Sequence, residues 1–413
     1  MTTNRFIKRL LKLKGMKVTG HHFENYNKEL HIDVAPKSNG CRCAECGRRG
    51  TIHRLSRNNR IWKDITVAGI VIYLHYTPKE IVCDTHGIIQ EQIPWASEFS
   101  TITYRLEYIL LRYSQIMTQT AAAELLRIPK STLSSILHRT ISRIRSGHRI
   151  RNLVSAGVDE ISYKKGKKFA TVVYDLDRGC VVWIGKGKAK AVITEFFTTC
   201  LSEAQRKRIQ WASCDMSSTY INAIKENCPN VKLVLDRFHI VKALTEAVDD
   251  VRKSEWSNLN DKGEVSKGLR WLLYRHSSTR KKNETRILND LEKSNRHIYR
   301  AWRLKDEFEQ MWDYINRGSA VNFLKKWITT ALKSRLEPMR RFALNARLYF
   351  DNIVNFVECH ITNAVGEGVN RVIRQVNSRA SGYRSFDSFA DIVYLTVGDL
   401  NIPEQIPAKF RTL

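Results

Sequence analysis

The sequence contains no apolar run of the roughly 18 residues that a membrane-spanning helix needs, so we expect no segment to cross a bilayer. Its basic N-terminus lacks the hydrophobic region of a signal peptide, which argues against secretion. Nine cysteines among 413 residues are too few to predict a disulfide scaffold. Repeats and low-complexity stretches are also missing, which argues against a repeat array. These absences predict a folded cytoplasmic protein.

Acidic residues are scarce relative to basic ones. The chain has 69 Lys and Arg against 41 Asp and Glu, a net charge of +28 and a pI near 9.8. The excess is spread along the chain, which is typical of an extended surface for a polyanion rather than of one basic arm. Nucleic acid is the expected partner and a membrane surface is the alternative, so we expect a cytoplasmic, nucleoid-associated protein.

The pattern of apolar residues divides the chain into five segments. Residues 1–98 mix short strand-like runs with turns, 99–150 are helical, 151–253 alternate strands with helices, 254–355 have helical periodicity throughout, and 356–413 close the chain. Because strands that alternate with helices form a sheet covered by helices, the expected fold class is α/β.

Two pairs of metal-ligand residues flank a β-rich stretch in the first segment. Cys43 and Cys46 precede it and Cys83 and His86 follow it, each pair with two residues between its members. This spacing is typical of a tetrahedral structural Zn²⁺ site with no open coordination position. Cys41 is a spare thiol that can replace one ligand, and reduced cysteines in a small β domain are the alternative.

The second segment contains a pattern typical of a helix-turn-helix, TQTAAAELLRIPKSTLSSILHRT. The pattern predicts that three apolar residues of the first helix pack against three of the second, namely Ala122, Leu125 and Leu126 against Leu133, Ile136 and Leu137. The exposed face of the second helix then offers side chains that can reach phosphates and base edges, Lys130, Ser131, Thr132, Ser135 and Arg139. An ordinary helical hairpin is the alternative.

Carboxylates follow apolar runs at three points of the α/β segment. Asp159, Asp215 and Asp236 each come directly after a predicted strand, where side chains point into the crevice that binds ligands in α/β sheets. Glu367 lies in TNAVGEGVNRVIRQV, which we expect to be helical from about Thr362. Carboxylates are the ligands that Mg²⁺ prefers, although a single Asp after a strand is often only a helix cap.

Three segments of the chain closely resemble the insertion-sequence transposases of the ISL3 family. They are VDEISYKKGKKFATVVYDLDRG, CDMSSTYINAIKENCPNVKLVLDRFHIVKAL and TNAVGEGVNRVIRQVNSRASGYRSF, and the likeness runs from about residue 40 to 395. The resemblance implies an RNase-H-like core with a helical insertion before its last Glu, preceded by a zinc-binding β domain and the helix-turn-helix. It also implies that Asp159, Asp215 and Glu367 bind catalytic Mg²⁺ or Mn²⁺, with Asp236 as an alternative to Asp215.

The expected function is that of a DNA transposase of the DDE type. Such an enzyme binds the terminal inverted repeats of its element, cleaves at the ends and joins the 3′-OH to target DNA, and it works as a homodimer or a larger synaptic complex. Two alternatives stay open from the sequence. One is a DNA-binding regulator with a degenerate core, and the other is an RNase-H-like nuclease without strand transfer.

Overall fold

A computed structural model describes residues 3–11, 15–37, 40–56, 58–98, 100–146, 150, 152–164, 166, 168–257, 265–275, 279, 281–359, 364–400 and 402. The chain divides into two compact units. Unit 1 comprises residues 1–149 and 376–413, and unit 2 comprises residues 150–375. In the described part of the chain, no helix combines the length and the apolar character that crossing a membrane requires.

Unit 1 begins with one helix and two small sheets, followed by three helices. Its elements are α1 (Thr3–Leu10), β1 (Met16–Glu24), β2 (Glu29–Pro36), β3 (Cys41–Arg42), β4 (Arg49–Leu55), β5 (Arg60–Val67), β6 (Ile70–Tyr76), β7 (Lys79–Cys83), β8 (Gly87–Gln90), α2 (Tyr104–Ile116), α3 (Gln119–Leu125) and α4 (Lys130–Ser146). The strand orders are β1-β2-β6-β5 in one sheet and β3-β4-β7-β8 in the other.

The first sheet has one apolar and one polar face, because side chains alternate along each strand. Ile32, Trp62 and Leu74 are fully buried and form a core with residues of α1. The opposite face carries histidine, acidic and tyrosine side chains from β1, β2 and β6. β1 pairs with β2 in an antiparallel hairpin, whereas β2 and β6 run parallel.

Unit 2 contains a five-stranded sheet and a long run of helices. Its elements are β9 (Ser155–Lys164), β10 (Lys168–Asp175), β11 (Cys180–Lys186), α5 (Lys190–Glu195), a π-helical turn (Phe196–Cys200), α6 (Glu203–Arg208), β12 (Trp211–Cys214), α7 (Ser218–Asn227), β13 (Lys232–Leu235), α8 (Arg237–Ser257), α9 (Val265–Tyr274), α10 (Lys282–Ser294), α11 (Arg296–Glu309), a 3-10 turn (Gln310–Asp313), α12 (Arg317–Lys333), α13 (Glu337–Leu348), α14 (Phe350–Val354), α15 (Phe356–Cys359) and α16 (Ala364–Arg379). The division between the units falls inside α16.

The sheet of unit 2 is mixed, with the strand order β11-β10-β9-β12-β13. β9, β10 and β11 pair antiparallel as a meander, whereas β12 lies parallel to both β9 and β13. One continuous apolar core joins this sheet to helices α8–α13. Trp302, Trp312 and Trp327 are buried in that core, so they pack the helical region. The mixed α/β architecture that the sequence predicts is therefore present.

The last helix, α17 (Phe386–Val397), packs on α2 and α4 of unit 1. His138 Nδ1 lies 2.8 Å from the Asp391 carboxylate, and Gln115 Nε2 donates to the Leu395 carbonyl oxygen at 2.7 Å. The predicted division instead kept residues 356–413 together as the end of the catalytic core. The difference arises because α17 buries every side chain from Phe389 to Leu395, and α2 and α4 supply the apolar surface that it needs.

Candidate catalytic and metal sites

Three aspartates occupy one row across the parallel strands of unit 2. Ser213 of β12 aligns with Gly157 of β9, and Cys214 aligns with Leu235 of β13. Continuing this register by two residues from Ser213 and Gly157, and by one residue from Cys214 and Leu235, aligns Asp215 with both Asp159 and Asp236. Since neighbouring strands lie about 4.8 Å apart and residues in one row share a face of the sheet, the three carboxylates converge on one surface.

The residues that precede the aspartates show which face this is. Val158, Cys214 and Leu235 are buried in the apolar core, so the aspartates that follow them point to the opposite side. Burial raises the pKa of the Cys214 thiol well above its usual range, and the nearby carboxylates of Asp215, Asp236 and Asp159 raise it further. The three acidic side chains are therefore close enough to act on the same buried atom.

Asp159 is half-buried and firmly held. Its Oδ1 accepts a hydrogen bond from the backbone N–H of Glu160 at 2.7 Å, and its Oδ2 accepts one from Asn370 Nδ2 at 2.6 Å. Burial raises the pKa of Asp159, whereas the two donors and the nearby His239 lower it in part. A carboxylate in this setting gains from a bound cation, because the cation offsets the cost of burying its charge.

Asn370 connects α16 to the sheet. The Tyr174 hydroxyl of β10 donates to Asn370 Oδ1, while the amide nitrogen donates to Asp159. Both ends of the amide are therefore fixed, and Asn370 is almost fully buried. No role for this residue is predicted from the sequence. Its spacing of three residues from Glu367, which places both on one helix face, was the available signal.

Glu367 is exposed in the first turn of α16. A Cβ added at the next residue, Gly368, would meet nothing within 4 Å, so the surface beside the carboxylate is open. The expected start of this helix at Thr362 lies outside the described residues. Within the described residues, the carboxylates of Asp159, Asp215 and Glu367 are not gathered into a cluster with all ligand atoms within 4.8 Å of one another.

Asp215 and Asp236 differ in how their oxygens are used. Asp236 is buried and caps α8, where its Oδ1 accepts from the Phe238 N–H at 3.1 Å and its Oδ2 lies 2.6 Å from His239 Nδ1. The contact with Asp236 raises the pKa of His239. Asp215 is only half-buried, and its Oδ1 accepts from the Ser217 N–H at 3.0 Å. Asp236 thus has the contacts of a helix cap.

The four residues of the predicted zinc site come together in unit 1, and their ligand atoms all lie within 4.8 Å of one another. Cys46 Sγ lies 3.6 Å from Cys83 Sγ, and His86 Nδ1 lies 3.6 Å from Cys43 Sγ and 3.7 Å from Cys83 Sγ. Tetrahedral ligands at Zn–S distances of about 2.3 Å are separated by about 3.8 Å. The cluster therefore has the dimensions of a four-coordinate zinc site.

Both ligand pairs are followed by a glycine in the left-handed region, Gly47 at φ +70° and Gly87 at φ +65°. This conformation favours glycine and turns the chain so that both ligands of a pair point inward. A backbone hydrogen bond from Thr85 and the contact with His86 lower the pKa of the Cys83 thiol to about 6. Cys41 is not part of this cluster; it is buried beside Glu91, and burial raises the pKa of its thiol to about 11.

The helix-turn-helix region folds as α3 and α4, and its core is nearly the predicted one. Leu133, Ile136 and Leu137 of α4 are buried, as are Ala122 and Leu126. The prediction for Leu125 was wrong, because this side chain is 59% exposed; Ala123 and Ile128 are buried instead. On α4, Lys130, Ser131, Ser135 and Arg139 are exposed and Thr132 is half-buried.

A family model and two relatives of known function all identify this chain as similar to transposases. A family model described as a transposase, DDE_Tnp_ISL3, matches residues 156–393. The chain is 25% identical over 384 residues to the transposase for insertion sequence element IS1557 of Mycobacterium tuberculosis, with 86% of this chain and 85% of the relative covered. It is also 25% identical over 376 residues to the transposase for IS1001 of Bordetella parapertussis, with 89% and 91% covered.

Among solved structures, the Drosophila P element transposase strand transfer complex is similar at 9% identity and a TM-score of 0.38, over 72% of this chain and 92% of that chain. That score is too low to carry an argument about the fold. The family match covers more than half of the chain and includes the strands and the helix that carry the acidic residues. The chain therefore belongs to the ISL3 family of DDE transposases, and it is a DNA transposase.

Proposed function

We propose that this transposase cleaves DNA at the ends of its element and joins the freed ends to target DNA, with Asp159, Asp215 and Glu367 as the catalytic metal ligands. Water attacks a phosphodiester at the element's end and releases a 3′-OH. This 3′-OH then attacks a phosphodiester of the target, so that one bond forms as another breaks and the target's own 3′ oxygen leaves. The observation that carries the proposal is the row of aspartates to which Asn370 ties α16.

The donor set fits hard divalent cations such as Mg²⁺ or Mn²⁺, because it consists of carboxylate oxygens on one face of a sheet. Such ions, when bound, neutralise the scissile phosphate and lower the pKa of attacking water. The protein's own contribution is to hold Asp159 in one orientation through Glu160 and Asn370. We assign Asp215 rather than Asp236 to the metal, because Asp236 caps α8.

We propose that unit 2 is an RNase-H-like core with the helical region 254–355 inserted before the last acidic residue. The support is the sheet order β11-β10-β9-β12-β13, in which an antiparallel meander continues into two parallel strands. Asp159 lies on β9, the first strand of this sheet in chain order, and Asp215 directly follows β12, the fourth.

We propose that unit 1 recognises the ends of the element. The cluster of Cys43, Cys46, Cys83 and His86 holds a structural Zn²⁺ ion, and the exposed residues of α4 contact DNA. The net charge of +28 favours the binding of a polyanion such as DNA. Because an element has two ends, we expect a homodimer or larger complex to bring them together.

Substitution of each proposed catalytic metal ligand tests the catalytic assignment. Asp159→Asn, Asp215→Asn and Glu367→Gln should each abolish cleavage of DNA carrying the cognate ends, because each removes a charged metal ligand. End binding measured by gel shift should stay at the wild-type level. Asp236→Asn is the matched comparison and should keep measurable cleavage.

The same assay separates the two alternative functions. Wild-type cleavage without joining would indicate a nuclease, and binding without cleavage would indicate a regulator. Normal cleavage by Glu367→Gln would contradict its role as a ligand, and loss of cleavage in Asp236→Asn but not in Asp215→Asn would exchange the roles of these residues.

Asn370 should act as a positioning residue through Asp159. Replacing it with Ala frees Asp159, so we expect the Mg²⁺ concentration for half-maximal cleavage to rise about 10–100-fold, the usual cost of losing a partner that orients a metal ligand. Tyr174→Phe should cause a smaller rise, because the amide keeps its bond to Asp159. Equal losses of activity at all Mg²⁺ concentrations would instead indicate only structural damage.

The cysteine cluster predicts a tightly held zinc ion. Cys46→Ser should remove about one zinc ion per chain by elemental analysis and lower the thermal unfolding midpoint of the protein, because a structural zinc site contributes folding energy. Cys200 is an exposed cysteine in unit 2, and Cys200→Ser should change neither quantity. An unchanged zinc content in Cys46→Ser would refute this site.

The exposed face of α4 predicts direct contacts to DNA. Lys130→Ala and Arg139→Ala should weaken binding to the element's ends, and each should reduce the slope of log K against log salt by about 1 if it removes a phosphate contact. Glu124→Ala, an exposed change on α3, is the control. Unchanged affinity and salt dependence in both basic variants would favour an ordinary helical hairpin.

A further inference from the structure

A second group of metal-ligand side chains lies on the polar face of the first sheet of unit 1. His22 and Glu24 come from β1 and His31 from β2, and one ligand atom from each lies within 4.8 Å of the others. His22 is the direct cross-strand partner of His31, and Glu24 is two residues beyond His22 on the same face. The strand register therefore brings together three side chains with metal-binding atoms.

The His31 ring is held in place before any ligand binds. His22 stacks on it with ring centres 5.2 Å apart, and Tyr73 of β6 stacks on it at 4.9 Å. His31 is only 9% exposed, and its Nδ1 lies 2.7 Å from His75 Nε2. When Nδ1 donates its proton to His75, the other ring nitrogen carries the lone pair that a metal needs.

That other nitrogen, Nε2, is buried and has no hydrogen-bond partner. A buried polar atom without a partner costs free energy, so its surroundings indicate what it serves. It lies 3.5 Å from Glu24 Oε2 and 3.8 Å from Glu29 Oε2, and Glu24 Oε1 lies 3.0 Å from His22 Nε2. The nitrogen thus faces two carboxylates, an arrangement suited to a cation between them.

The distances fit zinc. With Zn–N and Zn–O bonds of about 2.1 Å, tetrahedral ligands are separated by about 3.4 Å. His22 Nε2 lies 3.0 Å from Glu24 Oε1 and His31 Nε2 lies 3.5 Å from Glu24 Oε2, so each nitrogen approaches a different oxygen of this carboxylate at about that distance. Two imidazoles and a carboxylate form a ligand set suited to Zn²⁺. Glu29, which pairs with Glu24 across the hairpin, is placed to supply a fourth ligand.

We propose that His22, Glu24 and His31 form a second zinc site, separate from the cysteine cluster, with Glu29 as the fourth ligand and His75 orienting His31. An ion there joins β1 to β2 near the end of their hairpin. Its role is structural, because it fixes the two strands to each other on the face opposite the apolar core.

Counting zinc in the full-length protein tests the proposal. After gel filtration without chelator, the wild-type chain should hold about two zinc ions, and His22→Ala and Cys46→Ser about one each. The double variant should hold none. His21→Ala is the matched control, because His21 is adjacent in sequence and exposed but pairs with the core residue Ile32. The His21→Ala protein should hold as much zinc as the wild type.

A second variant probes the orienting partner. His75→Ala should leave the zinc capacity unchanged and lower the affinity of one of the two ions about 10–100-fold in a zinc titration. Because the His22 side chain is 53% exposed, its replacement should leave far-UV circular dichroism unchanged.

Two results would overturn the proposal. One is a wild-type zinc content in His22→Ala, and the other is a Cys46→Ser protein that binds no zinc at all. A Cys46→Ser protein that keeps its full zinc content, combined with a loss in His22→Ala, would support this site and refute the cysteine cluster. The zinc contents of the two variants therefore test the two sites separately, and neither result depends on the catalytic assignment.

Discussion

The parallel register of β9, β12 and β13 is the constraint on which the proposed catalytic site depends. It places Asp159, Asp215 and Asp236 in one row and turns them away from the core that their preceding residues form. A shift of one residue in any of these strands would bury its carboxylate and expose an apolar side chain. The core that holds Val158, Cys214 and Leu235 therefore also fixes the position of the acidic groups.

The three aspartates could be predicted from sequence because the signal is local, although Asp159 lies inside β9 and only Asp215 and Asp236 directly follow their strands. An apolar run followed by Asp identifies Asp159, Asp215 and Asp236 without any knowledge of the fold. The choice among them is not local, since it depends on which carboxylate caps a helix. Asn370 was missed for a similar reason. Its partners Tyr174 and Asp159 are 196 and 211 residues away in the chain, and only the folded sheet brings them together.

The two groups of metal-ligand residues in unit 1 show the same limit. Cys43, Cys46, Cys83 and His86 are recognisable because each pair keeps a fixed spacing along the chain. His22, Glu24 and His31 have no such motif, because hairpin pairing sets their geometry and His75 joins from a parallel strand. Leu125 was misplaced because its helix ends there, so that Ala123 and Ile128 pack inward in its place.

The return of α17 to the helices of unit 1 has a consequence for shortened copies of the gene. A chain that ends after α16 would retain Asp159, Asp215 and Glu367, the proposed metal ligands, but α2 and α4 would lose the apolar side chains of α17 that cover them. The Arg145 guanidinium, which lies 3.6 Å from the centre of the Tyr394 ring, would lose its stacking partner as well. Premature stop codons near the 3′ end would thus disturb the folding of α2 and α4, a segment that is encoded far upstream.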